Sequence, residues 1–147
     1  MTSNLKNTII ISVYKDTESL DLILESLLNQ TIIPNEVLIS EDGNSVEMSE
    51  YVAIGKNRYK NLDITHLFQE DIGWRKNIAL NKAVMAAKYE YLIFVDGDCV
   101  PFDNLNVGAI VVSFSNVSVT NVLSVSICTF SFLEAEFLSI LAYAVIC

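Results

Sequence analysis

The amino-acid sequence predicts an α/β fold: a mostly parallel sheet with helices on both faces, incomplete or divergent after about residue 101. Three observations carry that prediction. Short unbroken runs of β-branched, aliphatic and aromatic residues read as strands buried on both faces. Segments with apolar residues at helical spacing lie between them. The resulting order is strand, helix, strand, short helix, strand, helix, strand, which implies parallel pairing through right-handed crossovers.

The first strand is the run Thr8, Ile9, Ile10, Ile11, Ser12 and Val13, rich in β-branched residues that suit a pleated surface. Asp16 or Thr17 then offers a helix cap, and Glu18 places negative charge at the positive end of the helix dipole. Leu20, Ile23, Leu24, Leu27 and Leu28 form one apolar stripe, and Asn29 to Thr31 with Pro34 end the helix. Glu36 to Ser40 reads as the second strand, and it runs into Glu41, Asp42 and Gly43. The polar stretch 46–61 predicts only a short helix, about residues 48–53. Residues 62–67 alternate and predict a third strand near an edge. A polar loop from Gln69 to Arg75 leads into a helix carried by Ile78, Ala79, Ala83, Met85 and Ala86. Tyr91 to Val95 closes the series.

That last run is where the sequence turns to chemistry. Leu92, Ile93, Phe94 and Val95 lead directly into Asp96, Gly97 and Asp98. Ligands of open parallel sheets bind beyond the carboxyl ends of the strands, so two carboxylates one residue apart stand where an α/β protein holds its ligand. Carboxylate oxygens are hard donors suited to Mg, Mn or Ca. The intervening glycine lets the backbone turn and lets a ligand approach. The plainer alternative is that Asp-Gly marks a solvated turn.

Composition narrows the function. The chain has 147 residues, a 52% hydrophobic fraction and a formal net charge of -9, so a nucleic-acid partner is disfavoured. A phosphate-bearing small ligand needs a metal ion or a local arginine to offset the repulsion. Cys99, Cys128 and Cys147 are widely spaced and odd in number, which argues against a disulfide framework and for a reducing compartment. The first residues lack the apolar core of a signal peptide, so the expected location is cytoplasmic.

Taken together, the motifs resemble family-two glycosyltransferases, nucleotide-sugar-dependent enzymes with an A-type, Rossmann-like fold. Ile11-Ser12-Val13-Tyr14 looks like the first-strand motif of that family. Ser26-Leu27-Leu28-Asn29-Gln30-Thr31 looks like its helix end, Ser40-Glu41-Asp42-Gly43 like its acidic second-strand end, and Asp96-Gly97-Asp98 like its metal-binding Asp-x-Asp. The segment 69–75 with Asn77 and Asn81 resembles a subset of these enzymes. The likeness covers roughly residues 7–101, which would form the nucleotide-sugar-binding half of such a domain (1–101), followed by an atypical tail (102–147). Two positions depart from the family pattern: Ser12 stands where Pro is common and Lys15 where Asn is common.

The resemblance implies roles. Ser12 and Tyr14 would line the nucleotide pocket, Tyr14 near the base. Asp42 would accept a hydrogen bond from the base, most often uracil. Arg75 would lie near the diphosphate or the sugar. Asp98 would bind a Mg or Mn ion, with Asp96 near the ribose or the metal. The donor would be a UDP-sugar and the acceptor a saccharide or a lipid-linked molecule. His66, the lone histidine, lies on a strand and reads as structural rather than catalytic. Trp74 reads as a packing anchor.

The tail carries no Lys or Arg, the last being Lys88, and is rich in Val, Ser, Phe and Thr. Family members carry an acidic general base after the Asp-x-Asp. Here only Asp103, Glu134 and Glu136 follow, none in the expected pattern, so the catalytic base is unassigned. A truncated or frame-shifted product, a divergent set of strands, and a peripheral membrane contact at the inner face through the apolar end are the three readings of this segment. Two other functions compete with sugar transfer: a non-catalytic nucleotide-binding remnant, and a phosphatase of the haloacid-dehalogenase type with Asp96 as nucleophile.

Overall fold

The computed structural model describes residues 6–102, and within them the expected alternation is present. Strand β1 (Asn7–Val13) is followed by helix α1 (Thr17–Leu28), β2 (Glu36–Glu41), α2 (Val46–Arg58), β3 (Ile64–Leu67), α3 (Lys76–Ala86) and β4 (Tyr91–Asp96). The four strands form one parallel sheet in the order β3-β2-β1-β4. The chain steps outward from β1 to β3, then crosses back to place β4 on the other side of β1. Strand order therefore reverses beside β1, the kind of crevice in which open α/β sheets bind ligands.

Each central strand is buried on both faces, which explains its continuous apolar sequence. Ile9, Ile11, Val13, Val37, Ile39, Ile93 and Val95 face α1 and α2, whose Leu20, Ile23, Leu24, Leu27, Met48 and Val52 complete that core. Ile10, Leu38 and Phe94 point the other way and pack against Ala83 of α3, with Leu80 and Val84 alongside. The helices thus cover both faces, as the Rossmann-like reading requires.

Local signals set the helix ends. Asp16 caps α1 by accepting from the Ser19 backbone N–H at 2.9 Å and from its hydroxyl at 2.7 Å. Ser45 caps α2 by accepting from Met48 N–H at 2.9 Å. Helix α2 runs from Val46 to Arg58, well beyond the short helix expected about residues 48–53. Its buried residues, Met48, Val52 and Gly55, come about once per turn, too narrow a stripe to stand out from sequence.

Two side-chain clusters fasten the layers. Asp21 on α1 accepts from the Tyr51 and Tyr59 hydroxyls, each at 2.6 Å, and from Arg58 at 2.8 Å, joining α1 to the C-terminal half of α2. At the opposite end of the sheet from the acids, the buried Glu36 accepts from the Thr8 hydroxyl at 2.7 Å and from Lys88 N–H at 2.8 Å. It thereby ties β2 to β1 and to the turn before β4. Among the described residues, no helix is long and apolar enough to cross a membrane.

Candidate functional site

Ser12 lies directly opposite Asp96 in the β1–β4 register and opposite Ser40 in the β1–β2 register. The ends of three adjacent strands therefore deliver Ser12, Asp42 and Asp96 to the same edge of the sheet. They open onto a cleft of about 520 Å³ lined by Ser12, Tyr14, Asp42, Asp96, Gly97 and Asp98, together with Asp16, Asp71, Gly73, Trp74 and Lys76. That volume suits a ligand of nucleotide size. Asp42 and Asp98, on which the sequence-based site depends, thus share one cleft.

Gly97 has a packing reason to be glycine. A Cβ built there would stand 2.6 Å from the Ser12 carbonyl oxygen, closer than real Cβ atoms come. The approach that Gly97 permits is that of β1, and it lets Asp96 and Asp98 sit tight against the first strand.

Asp42 is buried, and both of its oxygens are engaged. Oδ1 accepts from the Gln69 side-chain amide at 2.7 Å, and Oδ2 accepts from the backbone N–H of Arg75 at 2.7 Å. Its own N–H donates to the Val13 carbonyl at 3.0 Å, which fastens the end of β2 to β1. A carboxylate has about four lone-pair positions, so acceptor capacity remains.

Tyr14 is half exposed, with its ring beside Gly43 and its hydroxyl 3.4 Å from both oxygens of Asp71. Lys15 bridges to Asp71 at 2.6 Å and lies over the Tyr14 ring at 4.7 Å. The hydrogen bond that Lys15 donates to the Asp71 carboxylate, then its hydrogen bonding with Tyr14, holds the Lys15 ammonium well above its ordinary range, and Lys15 in turn lowers Asp71. Lys15 has φ 54°, in the left-handed region that Asn tolerates better than Lys. The Asp71 bridge steadies the lysine in that conformation.

Arg75 is not among the residues lining the cleft, though its neighbours Trp74 and Lys76 are. Its backbone serves Asp42 and its guanidinium donates to the Glu70 carbonyl, while the adjoining Lys76 lines the cleft. Lys76 Nζ lies 2.6 Å from Asp96 Oδ1. Sequence reasoning missed Lys76; a cation opening the helix that precedes the acidic strand end is the signal that could have found it. It also missed Gln69 and Asp71. His66 does not line the cleft; it pairs with the buried Glu41 at 2.9 Å. Trp74, expected as a packing anchor, is 89% exposed and lines the cleft, next to Gly73 with its φ of 63°.

Among the described lining residues, the carboxylates of Asp16, Asp42, Asp71, Asp96 and Asp98 face a single lysine. Among the described residues no group of three or more His, Cys, Asp or Glu could enclose a metal. Two carboxylates, with the remaining positions left to water and ligand phosphates, are the usual arrangement for Mg in phosphate-handling sites. Asp96 and Asp98 fit a divalent cation in that mode and not as a closed cage.

Comparison with known proteins gives the class to which this fold and cleft belong. The family profile described as glycosyl transferase family 2 matches residues 8–125, and the chain belongs to that family. It is 30% identical over 95 residues to a hyaluronan synthase of Pasteurella multocida, covering 64% of this chain and 10% of the synthase. It is 33% identical over 101 residues to the uncharacterised glycosyltransferase YibD of Escherichia coli strain K12, covering 67% of this chain and 27% of YibD. Among solved structures, it superposes on the mannosyltransferase PcManGT from Pyrobaculum calidifontis, in complex with GDP-Man and Mn2+, with a TM-score of 0.61 and 20% identity. That match covers 69% of this chain and 30% of PcManGT, and it supports the A-type fold. The chain spans between a tenth and about a quarter of the length of these curated relatives.

Proposed function

We propose that this chain is the donor-binding part of a glycosyltransferase that takes a sugar from a nucleotide diphospho-sugar, a UDP-sugar foremost, and passes it to a saccharide or lipid-linked acceptor. The observation that carries the reading is the convergence of Ser12, Asp42, Asp96 and Asp98 on one cleft where the sheet order reverses. Family membership favours sugar transfer over the phosphatase alternative. A cytoplasmic site of action, with peripheral membrane contact where the acceptor is lipid-linked, fits a donor made from nucleotides.

Tyr14 offers an exposed aromatic face beside Asp42 for the base, and Asp42 retains acceptor capacity for a base N–H. Asp96 and Asp98 would hold a Mg or Mn ion together with the diphosphate. When bound, such an ion stabilises charge on the departing nucleoside diphosphate as a Lewis acid. The cleft's excess of carboxylates would otherwise repel a diphosphate, so the cation is what reconciles an acidic wall with an anionic donor. Lys76 holds Asp96 in place from the first turn of α3, and Lys15 offsets the charge of Asp71. The base that would deprotonate the acceptor is unassigned. A chain that binds donor without transferring sugar is therefore the second reading.

Calorimetric titration of the whole chain with UDP and Mn2+ tests the donor site. Binding that is lost in Asp98→Ala is the expected result. Absence of binding at millimolar UDP would refute the proposal, and binding without transfer to any acceptor would select the second reading.

A further inference from the structure

Gln69 is buried and has three side-chain partners of fixed polarity. Its Nε2 donates to Asp42 Oδ1 at 2.7 Å and to the Arg75 carbonyl at 3.1 Å, while its Oε1 accepts from Lys82 Nζ at 3.0 Å. A carboxylate and a carbonyl only accept, and an ammonium only donates, so all three partners demand the same orientation of the amide. Lys82 lies on α3, and its ammonium is the partner that holds the oxygen end of the amide, as Asp42 and the Arg75 carbonyl hold the nitrogen end. Asp42 is in turn fixed from two sides, by this amide and by the Arg75 N–H that opens α3.

We propose that Gln69, held in orientation by Lys82, is a positioning residue that sets the nucleobase selectivity of the cleft through Asp42. The inference rests on the donor-site reading given above. With Nε2 and the Arg75 N–H each occupying one position on the carboxylate, the remaining lone pairs of Asp42 are fixed in direction. They favour a base whose ring edge presents an imino N–H, as uracil does. Cytosine presents a bare ring nitrogen at the same place, which a carboxylate repels. Neither Gln69 nor Lys82 is among the residues lining the cleft, so their influence on the base would pass through Asp42.

UDP and CDP differ only on that pyrimidine edge, so the ratio of their affinities for the whole chain in Mn2+ reads the proposal directly. The wild-type chain should prefer UDP by about tenfold or more, the scale of one charged hydrogen bond. Gln69→Glu sets a second carboxylate against Asp42 and should bring the ratio near one. Lys82→Glu, an exposed change that leaves the core untouched, reverses the polarity offered to Gln69 Oε1 and should lower the ratio in the same direction, while Lys82→Arg should preserve it. A general loss of stability would weaken both nucleotides alike and leave the ratio unmoved. If Gln69→Glu does not fold, Lys82→Glu decides. Retention of the wild-type ratio in either folded Glu variant overturns the inference and leaves the donor site standing, as does a wild-type chain that binds the two equally. A wild-type chain that binds neither refutes the donor site itself, and the inference with it.

Discussion

At the scale of single residues, Gly97 shows how a motif position can be fixed by packing. The Asp-Gly-Asp triplet invites the reading that glycine admits the ligand, but its missing side chain faces the Ser12 carbonyl 2.6 Å away. Gly97→Ala must push β4 from β1 where their ends carry Ser12 and Asp96. We expect it to cost about 1–3 kcal/mol, as overpacking against backbone does, read as a lower urea midpoint. Mn-dependent UDP binding should fall with it, since both carboxylates move. Lys76 and Arg75 make the complementary point. They are adjacent, both cationic, and on either side of a helix start, yet one lines the cleft and the other turns to the Glu70 carbonyl. The sequence offers a cation at the start of α3 as a cue, but only the structure shows which of the two side chains reaches the cleft.

At the scale of elements, the contact between α1 and α2 is organised by Asp21. Burial works to raise its pKa, but hydrogen bonds from Tyr51 and Tyr59 and the charge of Arg58 outweigh that and hold it below the ordinary carboxylate range. Burial, then the Asp21 hydrogen bond, pushes Tyr59 up to about 12 and raises Tyr51 as well. The signs give two limbs. Asp21 has a depressed folded pKa, so its contribution is present at neutral pH and is lost as pH falls below about 4, the unfolded value for Asp. Tyr59 has a raised folded pKa, so its contribution holds below the unfolded value of 10.0 and is lost as pH rises from there toward about 12. Asp21→Ala leaves the Tyr59 hydroxyl short of its best acceptor and should cost about 1–3 kcal/mol. Urea denaturation from pH 3 to 11 should show both limbs flattened in that variant, with little change in nucleotide binding because the cluster lies away from the cleft.

At the scale of the whole molecule, charge governs what the chain can bind. On the proposed donor reading, with a net charge of -9 and a cleft walled by carboxylates, a diphosphate would gain little until a divalent cation intervenes. Chelating the metal with EDTA should weaken UDP binding at least about tenfold, corresponding to roughly 1.4 kcal/mol or more, and Mg or Mn should restore it. Neither EDTA nor metal should move the thermal midpoint of the chain without nucleotide by more than about a degree or two. Two carboxylates without phosphate ligands hold such an ion weakly.

The alternation of elements was legible because it is local. Apolar runs of strand length, the helical stripe of α1 and the cap at Asp16 depend on neighbours a few residues away. So did the placement of Asp42, Asp96 and Asp98 at strand ends, since parallel strands bring their carboxyl ends to one edge. The full length of α2 was not legible, because its narrow buried stripe hardly differs from a polar surface segment. The detailed site was not legible either. The hold of Gln69 on Asp42, the pairing of Lys76 with Asp96, the exposure of Trp74 and the approach of Gly97 to Ser12 join residues far apart in the chain. Their contacts depend on register and on how α3 sits against the sheet. Sequence by itself determined which residues could meet at the cleft, because side-chain periodicity sets strand and helix. Only the tertiary structure decided which of them do meet, because a hydrogen bond is made or lost within about an ångström and no local pattern carries that information.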